Sequence, residues 1–268
     1  MITPPYLTKL ENTDKFNNLA WNIPEQKTGT INIIGGHSGG FFAPLQNAEY
    51  LSSSFPVKSV NLLLPDALKN KLPGNLPGLY LLPSTDSGSL AKSESLLEHL
   101  KTADFSILIG DLSKNSATTI ALAEAIKNSD HPVLITRDSI DLLLPEMNTL
   151  IEKDNLYVVG SLMQIQKLFR AVYYPKMIML SMPLLPAAEA LHKFTLSYPI
   201  TILTFHNGQI LIANQGEVLI LPLEKTPYSG QPIKLWSGDL ACRIAALNLY
   251  NPNKKIEATT LATTYHPF

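Results

Sequence analysis

Short apolar runs alternate with amphipathic stretches along most of this chain, and that alternation limits the folds open to it. Strand candidates lie at 30–34, 57–64, 79–82, 105–109, 133–136, 156–159 and 177–180, with helix candidates between them at 45–53, 90–100, 116–127, 142–152, 163–172 and 187–196. A strand that is apolar throughout needs cover on both faces, and amphipathic helices supply it. The pattern predicts an α/β chain, a three-layer α/β/α arrangement with a mainly parallel central sheet.

After Ser197 the spacing tightens. Strand candidates at 200–205, 209–213 and 217–221 are too close for helical crossovers, and Asn207-Gly208 and Gln215-Gly216 separate them as hairpin turns do. An antiparallel edge meander is expected over 200–221. A helix following Asp239 and a last one at 256–265 complete the expectation. Residues 1–28, polar and holding Pro4, Pro5 and Pro24, read as an arm over the body, with Tyr6 and Trp21 anchoring it by burial. No repeat, low-complexity tract or linker divides the remainder, so 29–268 reads as a single domain.

Charge and composition narrow the partners. The 268 residues carry a net charge of −1, which argues against nucleic acid. An apolar content of 45% allows a large core, while 16% charged residues make a lightly charged surface. Together with the closely spaced apolar strands at one edge, that surface leads us to expect a homo-oligomer. The most apolar stretch, 177–191, is broken by Ser181, Pro183 and Pro186, so no membrane span is expected. The N-terminal residues lack the pattern of a signal peptide. The only cysteine, Cys242, rules out an internal disulfide and fits a reducing, cytoplasmic location, with burial as its expected fate.

Near the C-terminus, Trp236-Ser237-Gly238-Asp239 runs into the apolar helical pattern that begins at Leu240. Small residues let the backbone approach a ligand, and a helix start offers unpaired N–H groups at the positive end of its dipole. A carboxylate beside such an anion site makes sense if Asp239 takes a proton from a hydroxyl that attacks a phosphate. The simpler reading is that Ser237 or Asp239 caps the helix. Gly35 to Gly40 form a second glycine-rich turn, where His37 either meets a ligand or sits on the surface. No His, Asp or Glu group has zinc spacing, and Cys242, His206 and Asp239 do not form a nucleophile triad by spacing.

These two segments carry a resemblance to the ribokinase-like superfamily, and within it to the ADP- or ATP-dependent NAD(P)H-hydrate dehydratases, the carbohydrate kinase-related branch. Ser237-Gly238-Asp239 is similar to that family's Gly-Ser-Gly-Asp, with Trp236 in place of the first Gly. Gly35-Gly36-His37 and Ala43-Pro44 stand at the spacing of its Gly-Gly-Ser and Gly-Ala-Pro, with His37 for Ser and Phe42 for Gly. The order of elements extends the resemblance over residues 30–266. Gly110 is what remains of a Gly-rich loop, and Asp138 matches the second Asp of an Asp-Ala-Asp-Ala-Leu strand end. Ala262-Thr263-Thr264-Tyr265-His266 resembles the helix that leads to the family's His-Gly. The family's Thr-Pro-His-x-Gly-Glu has no counterpart between Val159 and Gln164, and Thr204 stands where Lys is expected.

The resemblance implies repair of hydrated NADH or NADPH. ADP or ATP, with Mg²⁺, phosphorylates the ring hydroxyl, and elimination restores the nicotinamide. Carried over residue by residue, Asp239 is the base, and Trp236, Ser237 and Gly238 hold the nucleotide phosphate. Gly35, Gly36, His37, Ser38, Ala43 and Asp138 face the hydrated dinucleotide, and no residue is assigned to a metal. The replacements at Phe42, Thr204 and Trp236 keep two alternatives open: a small-molecule kinase of the same superfamily, and a non-catalytic relative used for binding or assembly.

Overall fold

The structure, a computed structural model, describes residues 4–17 and 21–264. Its strands are β1 (Leu7–Lys9), β2 (Thr28–Gly35), β3 (Val57–Pro65), β4 (Leu79–Leu82), β5 (Phe105–Gly110), β6 (Val133–Thr136), β7 (Leu156–Val159), β8 (Thr201–His206), β9 (Gln209–Asn214) and β10 (Glu217–Pro222). They form one sheet in the order β1-β10-β9-β8-β7-β6-β5-β2-β3-β4. Only the β8–β9 and β9–β10 pairs are antiparallel. The helices are α1 (Asp14–Asn17), α2 (Phe42–Ser54), α3 (Glu94–Thr102), α4 (Ser116–Lys127), α5 (Asp138–Leu143), α6 (Met147–Leu150), α7 (Leu162–Ala171), α8 (Leu184–Ser197), α9 (Asp239–Tyr250) and α10 (Lys255–Ala262).

Alternation along the strands divides the apolar side chains between two cores. Ile31, Ile33, Phe105 and Ile107 pack beneath α2, α9 and α10. Leu63, Leu108, Val133 and Ile135 pack on the other face, against α3, α4, α5, α7 and α8. This is the three-layer arrangement that the apolar pattern predicts. The hairpins sit where the glycine dipeptides place them. Asn207 and Gly208 both have positive φ, as do Gln215 and Gly216, the combination that a two-residue turn needs to match strand twist.

The sequence expectations need four corrections. The run 177–180 is a loop between α7 and α8 rather than a strand, because β8 pairs directly with β7 and takes the place it would fill. Pro175 and Pro183 bracket the run, and Ile178 is its one buried apolar residue beside exposed Met177, Met179 and Leu180. The helix expected at 142–152 starts earlier, at Asp138, and a 3₁₀ turn around Pro145 splits it into α5 and α6. The helix expected at 90–100 starts only at Glu94, where Ser93 caps it. The outer edge of the meander is also not open. Within the N-terminal arm, β1 pairs in parallel with β10, Leu7 opposite Val218, so the edge invoked for self-association is already covered. Tyr6 stacks on His192 of α8 at 3.9 Å, and Trp21 donates to the Phe16 carbonyl at 2.8 Å. Helix α10 ends at Ala262, and Tyr265 and His266 lie outside the described residues. No described helix is long and apolar enough to cross a membrane.

One polar ladder crosses the apolar sheet. Asn61 donates to Asn32 at 3.0 Å, Asn32 donates to Ser106 at 3.2 Å, and Ser106 meets His131 at 2.9 Å. Burial pulls the imidazole of His131 down to about 4, so it is neutral in the folded protein near neutral pH. The unfolded chain takes up that proton at about 6.5. The stabilising contribution is therefore intact above that value and is lost as pH falls from there towards 4. Urea midpoints measured across this window should fall for the wild type, and the fall should be shallower for His131→Gln. Equal slopes would show that His131 does not carry the effect.

Candidate functional site

The carboxyl ends of the central strands all lead to one crevice. At the end of β2, Gly35 pairs with Gly110 at the end of β5, and the Gly36 N–H donates to the Gly110 carbonyl at 3.1 Å. Gly110 has φ +96, and a Cβ there would lie 2.2 Å from a carboxylate oxygen of Asp138, so no side chain fits. Asp111 and Arg137 also hold positive φ, at 54° and 56°. Such backbone strain persists only where surrounding contacts enforce it.

Those contacts are on view. The Asp138 carboxylate accepts from the Asp111 and Leu112 N–H groups at 3.0 and 2.8 Å. The Asp111 carboxylate accepts from the Ala43 N–H at 2.8 Å, in the first turn of α2, and from Arg137 Nη2 at 2.9 Å. The carbonyl of Asp111 accepts from His37 Nδ1 at 2.8 Å, and the His37 backbone closes the turn with Gly40 in both directions. His37 therefore builds the turn. Ser38 is tied by its N–H to Gly88 and by its hydroxyl to the Ser87 carbonyl. Ser161 and Gln164 form a capping box on α7, and Gln164 Nε2 reaches the Arg137 carbonyl at 2.7 Å.

Asn47, one turn into α2, links this cluster to the second motif. Its Nδ2 donates to the Ala43 carbonyl at 2.8 Å and to the Ser237 carbonyl at 3.2 Å. Gly238 follows with φ +114 as the N-cap of α9, and a Cβ there would lie 2.4 Å from Asn47 Nδ2. Neither Ser237 nor Asp239 caps α9 through its side chain. A left-handed glycine pressed against a buried amide starts the helix instead, leaving its first N–H groups without a side-chain acceptor.

Asp239 is the first residue of α9, and both of its carboxylate oxygens are engaged. Oδ1 accepts from the Ser237 hydroxyl, and Oδ2 accepts from Arg243 Nη2 at 3.1 Å and the Tyr228 hydroxyl at 3.3 Å. Arg243 is buried, with 8% of its side chain exposed, and its Nε donates to the Tyr50 hydroxyl at 3.0 Å. Burial pulls the guanidinium pKa down, but Tyr228, Tyr50 and Asp239 together raise it, so the group stays charged. Both phenols are raised, by burial first and then, for Tyr228, by the Asp239 charge, so each keeps its proton. Burial also pushes the Cys242 thiol up, against the Asn47 carbonyl and well away from nucleophilic use.

The two aromatic replacements sit in different surroundings. Phe42 stacks on Phe41 at 5.1 Å and is 66% exposed, while Trp236 ends a 3₁₀ turn and packs partly into the core. Thr204 is buried in β8 with its hydroxyl unpaired. Among the described residues no three His, Cys, Asp or Glu side chains converge, and Asp111 and Asp239 are each paired with an arginine. A groove of about 640 Å³ runs along another face of α2, between Leu45, Val60 and Leu76, and holds none of the residues of the two motifs.

Solved structures share this architecture. A ribokinase-like superfamily protein from Enterococcus faecalis superposes with a TM-score of 0.68 over 98% of this chain and 88% of that one, at 15% identity. The fold is the ribokinase-like one. An ADP/ATP-dependent NAD(P)H-hydrate dehydratase from Bacillus subtilis, co-crystallised with ATP and Mg²⁺ and soaked with CoA, matches with a TM-score of 0.58 at 12% identity, covering 94% of this chain and 86% of that one. A hydroxyethylthiazole kinase from Pyrococcus horikoshii matches with a TM-score of 0.55 at 11% identity, covering 93% and 80%. No family model matches the sequence, and no curated protein does. In this fold the ends of β2 and β5, the Gly35–Pro44 turn and the start of α9 are joined through Asp111, Ala43 and Asn47.

Sequence reasoning reached the Gly35–Pro44 turn, Asp138 and Ser237 to Asp239, and a string of hydrogen bonds through Asp111, Ala43 and Asn47 connects them. It missed Asn47, Asp111, Arg137, Tyr50, Tyr228 and Arg243. Of these only Arg243 left a signal, four residues beyond Asp239 on one helix face. Gly238→Ala should destabilise the fold by about 1–3 kcal/mol, the scale of a strained left-handed residue. In an Asn47→Ala background, which already lacks the two hydrogen bonds of the amide, Gly238→Ala should cost less but not nothing, since the crowding goes and the φ strain stays. No cost in that background in chemical denaturation would mean that crowding alone fixes the glycine.

Proposed function

We propose that this protein is a nucleotide-dependent phosphoryl-transfer enzyme acting on a small-molecule hydroxyl, and more specifically an ADP- or ATP-dependent NAD(P)H-hydrate dehydratase. The observation that carries this reading is the left-handed Gly238 opening α9 beside the Gly35–Pro44 turn, with Asp239 as the first helical residue. The helix start with its uncapped N–H groups suits a phosphate. In this reading Ser237, Gly238 and the first N–H groups of α9 hold the transferring phosphoryl group, and Trp236 flanks the nucleotide. Gly35, Gly36 and Ala43 bring the backbone close to the hydrated dinucleotide, and His37, Ser38 and Asp138 hold that wall in place. Mg²⁺ arrives with the nucleotide phosphates, since the described side chains offer it no cluster of free carboxylates.

Asp239 takes the proton from the hydroxyl on the hydrated ring. The oxygen forms its bond to the terminal phosphorus as the bridging P–O bond of the nucleotide breaks. The new phosphate ester then leaves with the C–O electron pair, and loss of a ring proton restores the nicotinamide double bond. A non-catalytic binding role is the second reading, and the Asp239–Arg243 pair favours it, because that carboxylate is already engaged.

Calorimetry with ADP and ATP, with and without Mg²⁺, tests the nucleotide. Recovery of the reduced-nicotinamide absorbance from hydrated NADH or NADPH tests the reaction. Asp239→Asn should bind nucleotide nearly as the wild type does and turn over about 10²-fold more slowly, the scale of a lost general base. Nucleotide binding with no repair would move the conclusion to another acceptor hydroxyl or to the binding role. Repair that survives Asp239→Asn would remove this carboxylate from the mechanism.

A further inference from the structure

Beside Asp239 lies a buried cation that neither glycine motif contains. Arg243 lies beneath Asp239, one helical turn on, with its Nη2 on Asp239 Oδ2 and its Nε on the Tyr50 hydroxyl. Its guanidinium carbon lies 5.5 Å from the Tyr228 ring centroid, and the Tyr228 hydroxyl donates to the same Asp239 oxygen. The groups facing the carboxylate are thus a buried permanent cation, a phenol donor and, on Oδ1, the Ser237 hydroxyl. Three donors hold the two oxygens. A base must offer an oxygen to the incoming proton, and here each Asp239 oxygen is already met by a donor. Tyr50 comes from α2 and Tyr228 from the segment before α9, so the clamp spans three parts of the chain.

We propose that Arg243 is a positioning residue that latches Asp239, so that wild-type turnover at this crevice is limited by the Arg243–Asp239 pair while nucleotide binding is not. The inference rests on the nucleotide reading given above. With ATP the step it limits moves the acceptor hydroxyl's proton to an Asp239 oxygen, forms the bond from that hydroxyl oxygen to the γ-phosphorus, and breaks the bond from the γ-phosphorus to the β–γ bridging oxygen, which leaves on ADP. Removing the cation leaves Oδ2 with the Tyr228 hydroxyl as its remaining donor among the described residues, which makes room for that proton, and touches nothing at the first N–H groups of α9.

Arg243→Met keeps an apolar stem of similar length and removes the charge. Steady-state kinetics with ATP and hydrated NADH, ATP hydrolysis with water as acceptor, and calorimetry with ATP are run on each variant. We expect kcat to rise about tenfold or more, with the nucleotide Kd within about twofold of wild type, because an interaction restraining only the chemical step appears in kcat. Arg243→Lys, which keeps a cation, should gain much less. Tyr50→Phe, which only loosens the guanidinium, should gain a smaller factor than Arg243→Met and tests the latch should that variant fail to fold. A graded gain, largest in Arg243→Met and smaller in Arg243→Lys and Tyr50→Phe at unchanged nucleotide Kd, separates the latch from general loosening, which would not follow the cation. Weaker nucleotide binding with lower kcat in Arg243→Met would make the guanidinium a phosphate ligand and overturn the latch. Unchanged kcat in Arg243→Met and Tyr50→Phe, with nucleotide bound, would overturn the latch alone. No nucleotide binding by wild type or variants would overturn the nucleotide reading and the latch together.

Discussion

The amide of Asn47 holds the crevice in register. It bridges the carbonyls of Ala43 and Ser237, and so ties the first turn of α2 to the residue before α9. The two helices arise from opposite ends of the chain and lie on the same face of the sheet, but apolar packing alone is non-directional and would tolerate sliding. A buried amide with two fixed acceptors does not. The room it occupies exists because residue 238 has no Cβ, and the left-handed turn that only glycine adopts easily points the start of α9 at the crevice. That pair fixes the angle at which Asp239 meets the Gly35–Pro44 turn, on helices that Tyr50 and Arg243 also join.

Each wall of the crevice carries an aspartate neutralised by an arginine. Asp111 meets Arg137 at 2.9 Å and the N-terminal turn of α2, and Asp239 meets Arg243 at 3.1 Å within the first turn of α9. Both carboxylates lie where a helix dipole favours negative charge, and both are pinned by a guanidinium. Each of these two pairs is balanced before any ligand enters, while the Asp138 carboxylate beside them is held by backbone N–H groups. At α2 the Ala43 N–H already donates to the Asp111 carboxylate, whereas the side chain of Asp239, in the first turn of α9, turns to Ser237, Tyr228 and Arg243 instead.

Much of the architecture was legible because its signals are local. The Asn207-Gly208 and Gln215-Gly216 turns announce themselves by residue type, and continuous apolar runs separated by amphipathic helices fix the layers. The run 177–180 misled because an apolar tetrapeptide reads alike in a strand and in a capped loop, and only the direct pairing of β7 with β8 decides. The site was legible to the extent that glycine and aspartate at fixed spacing encode backbone shape. Asn47 was not, since on α2 it is one polar residue among several and acquires its role from a glycine far along the chain. Tyr50 and Tyr228 were hidden for the same reason: their partner Arg243 reaches them through the tertiary fold.

The pairing of β1 with β10 has a consequence for how the chain is made. Leu7 finds its register opposite Val218, so β1 waits for the last described strand in chain order before its backbone groups are matched. Closing so long a loop is slow, and that edge belongs to the final stage of folding. Until then β10 presents an unpaired row of donors and acceptors in an apolar strand, the kind of edge on which nascent chains pair with one another. The three residues of β1 thus act as a selvedge, finishing the sheet only after everything behind it has been laid down.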